Sequence, residues 1–260
     1  MTEQKKPVVL DPGVEKLLTM YAEDTAQHKF NAIVLGQLGV GKTTLLKTAR
    51  MPVLIDSFDP GGPKLRDFQP LIKEGRIVPD MRWSKSKEFP FSEWEQVFQS
   101  RIREKFFDRF GTYSIDSATT FLRSMAEYAM KKSGRDNVSQ PEWGAIGNSF
   151  ISYIKQCCAL SCDFVLTGHL VLEAEEVEGR MIARFASIPS MQVNIPILFD
   201  EIYVLINEEK SDGIHVKLLT RPTGKYIART RIGSGIFLPQ EEPNIKKLLE
   251  KAGLPAEDRS

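Results

Sequence analysis

Ile33-Val34-Leu35-Gly36-Gln37-Leu38-Gly39-Val40-Gly41-Lys42-Thr43-Thr44-Leu45-Leu46 is the stretch on which the fold of this chain turns. An apolar run enters a loop with three glycines, and Lys-Thr-Thr then opens a leucine-containing helical pattern. That is the strand, loop and helix context of a phosphate-binding P-loop. Glycines at 36, 39 and 41 let the backbone turn its N–H groups inward, so that with the helix N-terminus they form a concave donor surface for phosphate oxygens. Gly36, Gln37, Leu38, Gly39, Val40, Gly41, Lys42, Thr43 and Thr44 are therefore the expected nucleotide cradle. Lys42 is expected to reach the β- and γ-phosphates of ATP, and the Thr43 hydroxyl to ligate Mg²⁺. The competing reading is a glycine-rich connection without a ligand, and the flanking patterns argue against it.

Outward from that loop, the composition sets bounds. A chain of 260 residues, 42% of them hydrophobic, can bury one large core or one core with an elaborated insertion, so a single domain is expected. Lys and Arg number 35 against 34 Asp and Glu, so overall charge favours no polyanionic partner and any nucleic-acid surface must be a local patch. The N-terminus lacks an apolar signal core and no run of about 18 apolar residues exists, which leads to the expectation of a soluble, cytoplasmic protein with no membrane partner. Cys157, Cys158 and Cys162 are odd in number and lack paired-ligand spacing, so they read as reduced packing residues.

In chain order, Asp11-Pro12 starts a helix with Val14, Leu17, Leu18 and Tyr21 at helical spacing, before a strand near Phe30–Leu35. The P-loop helix is expected over Lys42–Arg50. A second buried strand, Pro52-Val53-Leu54-Ile55-Asp56, leaves through Ser57-Phe58-Asp59-Pro60-Gly61-Gly62. Arg76–Trp83 reads as a possible strand, followed by a basic loop around Lys85 and Lys87. A helix from Ser92 to Phe110 follows, with Ser92 and Glu95 at capping-box spacing. Thr112–Ser117 is a third strand, followed by helices over Ala118–Lys132 and Trp143–Leu160, and Cys162–Thr167 is a fourth, ending in Gly168-His169. This alternation means an α/β fold with a mainly parallel sheet. Toward the C-terminus the pattern changes to antiparallel strands: a hairpin over Glu173–Ala186 turning at Glu178-Gly179, then Glu201–Asn207, Ile214–Thr220 and Lys225–Thr230. Asn244–Lys251 is a short helix, and Pro255–Ser260 reads as a mobile polar tail.

Hydrolysis needs a carboxylate to hold the magnesium shell and a group to orient the attacking water. In an open parallel sheet these sit at the carboxyl ends of strands, where Asp56, Asp59, Asp116 and His169 all fall. Asp116 is the candidate Mg²⁺ carboxylate, with a helix N-cap as its alternative role. Asp59 is the candidate water-polarising carboxylate, because Pro-Gly-Gly lets its loop fold over the phosphates; Asp56 competes with it. His169 could sense the γ-phosphate. Arg229 and Arg231, spaced by two, could be arginine fingers in a neighbouring subunit's site, or simply a solvated strand face. The basic, aromatic-interleaved stretch from Arg82 to Lys87, then Arg101 to Arg109, could track single-stranded DNA, although the 101–109 part also matches an ordinary amphipathic helix. The loop from Glu173 to Gln192, with Arg180, Arg184, Ser187 and Ser190, follows directly from the His169 strand and could change order with nucleotide state.

The order of these features resembles the RecA-like core ATPases encoded by bacteriophages, the phage nucleotide-binding proteins that include single-strand annealing proteins. The matching features are Gly36–Thr43, Ile55-Asp56 to Gly62, Ile115-Asp116-Ser117, Glu142-Trp143-Gly144, Val165–His169, Pro196–Asp200 and Arg229-Thr230-Arg231, over residues 30–235. The resemblance implies one RecA-like domain over residues 1–260, with its core at about 28–235 and a C-terminal helix and tail at 240–260. The segment at about 63–110 would be an insertion able to carry a partner or DNA contact. It also implies ATP and Mg²⁺ binding, a homo-oligomeric ring or filament with the ATP site between subunits, and single-stranded DNA on the loops after the Asp116 and His169 strands. A phage or host single-strand-binding protein is a further implied partner. By position Asp59 looks like the family's catalytic acid, His169 like its γ-phosphate switch, and Arg229 and Arg231 like its trans-acting basic pair. The expected activity is ATP-dependent annealing or recombination; the alternative is a nucleotide-dependent switch or assembly factor for phage replication or packaging that binds protein instead.

Overall fold

Apolar runs bounded by glycine, proline and acidic turns form strands buried on both faces, as a parallel sheet requires. The computed structural model describes residues 11–23, 28–62, 64, 66–85, 90–174 and 181–259. The chain runs α1 (Pro12–Glu23), β1 (Asn31–Gly36), α2 (Lys42–Leu45), β2 (Val53–Ser57), α3 (Gln69–Lys73), β3 (Ile77–Asp80), α4 (Arg82–Lys85), α5 (Pro90–Arg103) and β4 (Thr112–Asp116). It continues through α6 (Ala118–Ser133), α7 (Gln140–Cys158), β5 (Asp163–Ala174), β6 (Met181–Phe185), α8 (Met191–Asn194), β7 (Glu201–Lys210), β8 (Gly213–Leu219), β9 (Gln240–Glu241) and α9 (Ile245–Lys251).

The sheet order is β3-β2-β4-β5-β1-β7-β8-β9, with β6 pairing the outer half of β5. Strands β3 through β7 in that order are parallel, whereas β8, β9 and β6 pair antiparallel. The expected α/β class, mainly parallel with antiparallel strands toward the C-terminus, is the observed one. Side chains alternate across the pleat. Ile33 and Leu35 enter a core rich in aromatic side chains under α5, α6 and α7, while Ala32 and Val34 enter a second core with Leu45, Phe68 and, from α9, Leu248. Because β5 lies between β1 and β4, the P-loop and Asp116 converge across an intervening strand that can touch both.

Several boundaries differ from expectation. The α-helix after the P-loop covers only Lys42–Leu45 and tightens into a 3₁₀ turn at Leu46–Thr48. The expected strand at Arg76–Trp83 stops at Asp80, because Asp80 accepts hydrogen bonds from the Arg82 backbone and side chain and turns the chain into α4. Ser92 lies inside α5, so Ser92 and Glu95 are not a capping box, and Lys105 at φ 51° separates α5 from a 3₁₀ turn at Phe106–Arg109. α7 starts earlier than Trp143: the Ser139 N–H donates to Glu142 and Pro141 occupies the first turn. Lys225–Thr230 forms no ladder, only isolated bridges from Tyr226 to Ala183 and from Arg229 to Ile202. The tail is not free either: Asp258 accepts from the Met51 N–H at 2.7 Å and pairs with Arg76 and Lys246, and Arg259 donates to Phe110 O at 2.7 Å. The expected turn at Glu178-Gly179, the adjoining Arg180 and the loop residue Lys87 lie outside the described residues.

The three cysteines are free, and burial pushes the Cys158 and Cys162 thiols up to about 12. No helix among the described residues is long and apolar enough to cross a membrane. At the amino end of β5, Asp163 is buried, accepts from the Phe30 N–H at 2.9 Å and lies 3.4 Å from Arg50 Nε. Burial pushes its carboxyl up to about 6, with Arg50 opposing. A raised carboxyl pKa means that the folded state binds a proton more tightly than the unfolded chain. The associated stability is present below the ordinary carboxylate range and is lost as pH rises through about 6. The rise from 3.8 to about 6 is worth up to about 3 kcal/mol. Asp163→Asn keeps an acceptor for the Phe30 N–H and removes the titration. Urea unfolding at about pH 4 and about pH 8 is expected to show the Asp163→Asn variant gaining on the wild type by that order as pH rises; parallel pH profiles would contradict it.

Candidate functional site

β1 ends at Gly36, where a Cβ would lie 2.6 Å from Val40 Cγ1 and 3.1 Å from Leu205 O, so only glycine lets the loop pass this close to β7. Gly41, at φ 100°, turns the chain into α2. Lys42 is drawn back over the loop and is only 6% exposed. Its Nζ donates to Gly36 O at 3.1 Å and Gln37 O at 2.8 Å and lies 3.3 Å from His169 Nδ1. Burial pulls the Lys42 ammonium down from the usual lysine value, against the attraction of Asp116 and Asp59.

Asp116 ends β4 beneath the P-loop. Thr43 Oγ1 donates to Asp116 Oδ2 at 2.8 Å, and from β5 Thr167 Oγ1 donates to the other carboxylate oxygen, Oδ1. Burial pushes the Asp116 carboxyl up, while the two threonine hydroxyls oppose that shift. The N-cap of α6 is Ser117, so the alternative capping role is not the one Asp116 takes.

Asp59 lies in the loop after β2, with its backbone N–H and that of Phe58 both donating to Asp116 O. Its carboxylate accepts from Ser117 Oγ at 2.8 Å and Thr120 Oγ1 at 2.6 Å, and Oδ2 lies 3.5 Å from His169 Nε2. Burial raises this carboxyl, but the His169, Thr120 and Ser117 contacts outweigh it and the net shift is downward. Asp56 belongs elsewhere. It is fully buried within β2, where Trp94, Arg101 and Tyr113 donate to it, away from the Ser117, Thr120 and His169 contacts of Asp59.

The imidazole of His169 thus lies between Lys42 on its Nδ1 side and Asp59 on its Nε2 side, and its backbone N–H donates to Thr119 Oγ1. Lys42, Thr43, Asp59, Asp116 and His169 are brought together; Arg229 and Arg231 are not. Arg229 donates to Phe199 O at 2.6 Å, and Arg231 pairs with Asp200 at 2.8 Å. Both arginines reach the start of β7. Within the basic stretch 82–109, Arg82 and Arg101 share Asp80, and Arg109 stacks on Phe106. The residues missed by sequence reasoning are the hydroxyls Thr167, Ser117 and Thr120. Thr167, two residues before the expected His169, offered a signal only through strand parity.

Among the described residues no group of three or more His, Cys, Asp or Glu side chains forms a metal cage. The donor set fits Mg²⁺ nonetheless, since Mg²⁺ keeps several waters and takes its other ligands from one or two protein oxygens and substrate phosphates. Thr43 would supply the direct oxygen and Asp116 a water-mediated one, and the glycine turns leave the room that phosphates need.

The AAA domain family (AAA_24) matches residues 28–232. No curated protein matches the chain. Similar solved structures include the KaiC-like protein PH0186 from Pyrococcus horikoshii OT3, at 15% identity over 78% of this chain and 82% of that one (TM-score 0.44), and the flagellar accessory protein FlaH from Methanocaldococcus jannaschii, at 13% identity over 82% and 84% (TM-score 0.46). With the family match spanning most of its length, and with the P-loop built as described, this chain belongs to the AAA domain family as a nucleotide-binding P-loop ATPase domain.

Proposed function

We propose that the protein hydrolyses ATP with Mg²⁺, assembles as a homo-oligomer on single-stranded DNA, and promotes annealing or recombination in a phage context. The observation that carries the hydrolytic part is the placement of Asp59. It is held by Ser117 and Thr120 and faces His169, within the same constellation as Lys42, Thr43 and Asp116. In this reading the oxygen of a water attacks the γ-phosphorus, the bond to the β–γ bridging oxygen breaks, ADP leaves, and Asp59 accepts the proton from the water. Thr43, and Asp116 through water, would hold Mg²⁺, which would supply charge neutralisation to the phosphates. Lys42 leaves its loop carbonyls for the phosphates, and His169 reports their presence into β5 and β6. The register of those strands runs from Leu170 opposite Phe185 to Ala174 opposite Met181, so His169 directly precedes the hairpin taken to contact DNA.

The order of motifs supports the DNA and annealing reading. As trans-acting fingers, Arg229 and Arg231 would exchange Phe199 O and the exposed Asp200 for a neighbour's phosphates, and exposed pairs such as Arg231 with Asp200 hold only weakly. A protein-binding switch is the second reading, favoured by the exposed Val14, Leu17 and Leu18 on α1. An ATPase assay with and without single-stranded DNA, on size-fractionated protein, tests both. Turnover stimulated by DNA in an oligomeric fraction is expected; turnover in a monomer indifferent to DNA would favour the switch, and none at all would end the hydrolytic reading.

A further inference from the structure

The segment between β2 and β4 departs from a minimal core, and the proposed mechanism gives it no task. Its α5 nevertheless makes a buried polar contact of its own, outside the nucleotide site. Asp56, fully buried near the end of β2, accepts from Trp94 Nε1 at 2.7 Å, Tyr113 Oη at 2.7 Å and Arg101 Nη1 at 2.9 Å. The Arg101 guanidinium carries the grip to the next strand, since its Nη2 donates to Asp80 Oδ2 at 2.6 Å, and Asp80 is the register partner of Asp56. Phe58 continues the contact. Its ring centroid lies 6.2 Å from that of Trp94 on α5 and 4.7 Å from that of Phe121 on α6.

Side chains alternate along an extended chain. Asp56 and Phe58 point into the core under α5 and α6, and Asp59, in the bend that follows β2, reaches Ser117 and Thr120 at the start of α6 and His169. Phe121 lies on the first turns of the same helix whose N-cap, Ser117, holds the Asp59 carboxylate. The inserted segment therefore fixes both the peptide that carries the proposed base and the helix end that receives it.

We propose that Trp94 and Arg101 are positioning residues for ATP hydrolysis, acting through Asp56 and Phe58 to aim the Asp59 carboxylate. The inference rests on the hydrolytic reading above. A near-attack geometry misplaced by about 1 Å is enough to cost up to about 10²-fold in rate. Nucleotide binding, which uses the P-loop on the far side of β4 and β5, is untouched by that misplacement.

The test is Trp94→Phe, which keeps an aromatic ring, removes the indole N–H from Asp56 and trims the packing against Phe58 and Phe121, measured in the full chain for kcat, KM for ATP and melting temperature. The expected result is kcat lower by about 5- to 30-fold with KM within about twofold, and no further loss when Trp94→Phe is added to Asp59→Asn. Should Trp94→Phe fail to fold, Arg101→Lys is read in the same way. Wild-type kcat in the folded variant, or losses that multiply with those of Asp59→Asn, would overturn the positioning role while leaving the hydrolytic reading intact. Absence of turnover in the wild type would overturn both.

Discussion

Lys42→Ala is expected to lower ATP turnover by about 10²- to 10³-fold and to weaken ATP binding alongside it, the loss typical of removing one preorganised donor from a developing charge. The reason lies in how Lys42 is stored. Lys42 is 6% exposed and its ammonium is held by two loop carbonyls and His169, so it is already largely desolvated and close to where phosphates would enter the glycine cradle. Among the described residues no other lysine or arginine takes part in the contacts that join Thr43, Asp59, Asp116 and His169. Alanine leaves the loop its glycine turns and backbone N–H groups, so residual phosphate affinity is expected, with catalysis falling further than binding. Fluorescent ATP titration and steady-state phosphate release separate the two. Turnover within about threefold of wild type would show that the cradle is not the working site.

The cradle was legible in the sequence because everything that defines it is local: spacing, glycines, and a strand before a helix. The Asp116 and His169 positions were legible for a related reason: Asp116 ends β4, and His169 closes the part of β5 that pairs in parallel with β1, although β5 itself continues to Ala174. What the sequence left open depends on strand order and parity. Asp56 and Asp59 stand in the same short exit, and only the pairing of β2 between β3 and β4 decides that Asp56 faces α5 and Asp59 the P-loop rim. Thr167 looked like an ordinary strand residue until β5 was inserted between β1 and β4.

The misread segments share a cause. Lys225–Thr230 has the alternation of a strand but no long partner, because the edge of β7 beyond β1 is taken by β8; its backbone makes single bridges instead. The tail has the composition of a mobile end, yet Asp258 and Arg259 find backbone partners at Met51 and Phe110 that no local pattern announces. Within the basic 82–109 stretch, Arg101 is drawn in to the buried Asp56 and to Asp80, while Arg82 pairs with Asp80 and stays 58% exposed. A charge run read locally does not say which of its members compensate acids on neighbouring strands.

Asp59→Asn separates binding from chemistry, and its expected result is a loss of about 10²- to 10³-fold in kcat with ATP affinity retained, within the range typical of a general base. Asparagine is nearly the same shape and can still accept from Ser117 Oγ and Thr120 Oγ1, which donate at 2.8 and 2.6 Å, so the loop is expected to stay in place. What disappears is the negative charge 3.5 Å from His169 Nε2 and the capacity to take a proton. The net downward shift of the Asp59 carboxyl keeps it ionised at neutral pH, so it is available as an acceptor without prior deprotonation. Asp56→Asn serves as the contrast. It disturbs a fully buried carboxylate with three donors, so its primary expected effect is on melting temperature, with a smaller effect on kcat through the aim of Asp59. Single-turnover hydrolysis at saturating ATP, beside thermal melts, distinguishes the two carboxylates. If Asp59→Asn turned over at the wild-type rate while Asp56→Asn alone lost kcat, the assignment of the water-activating carboxylate would be reversed.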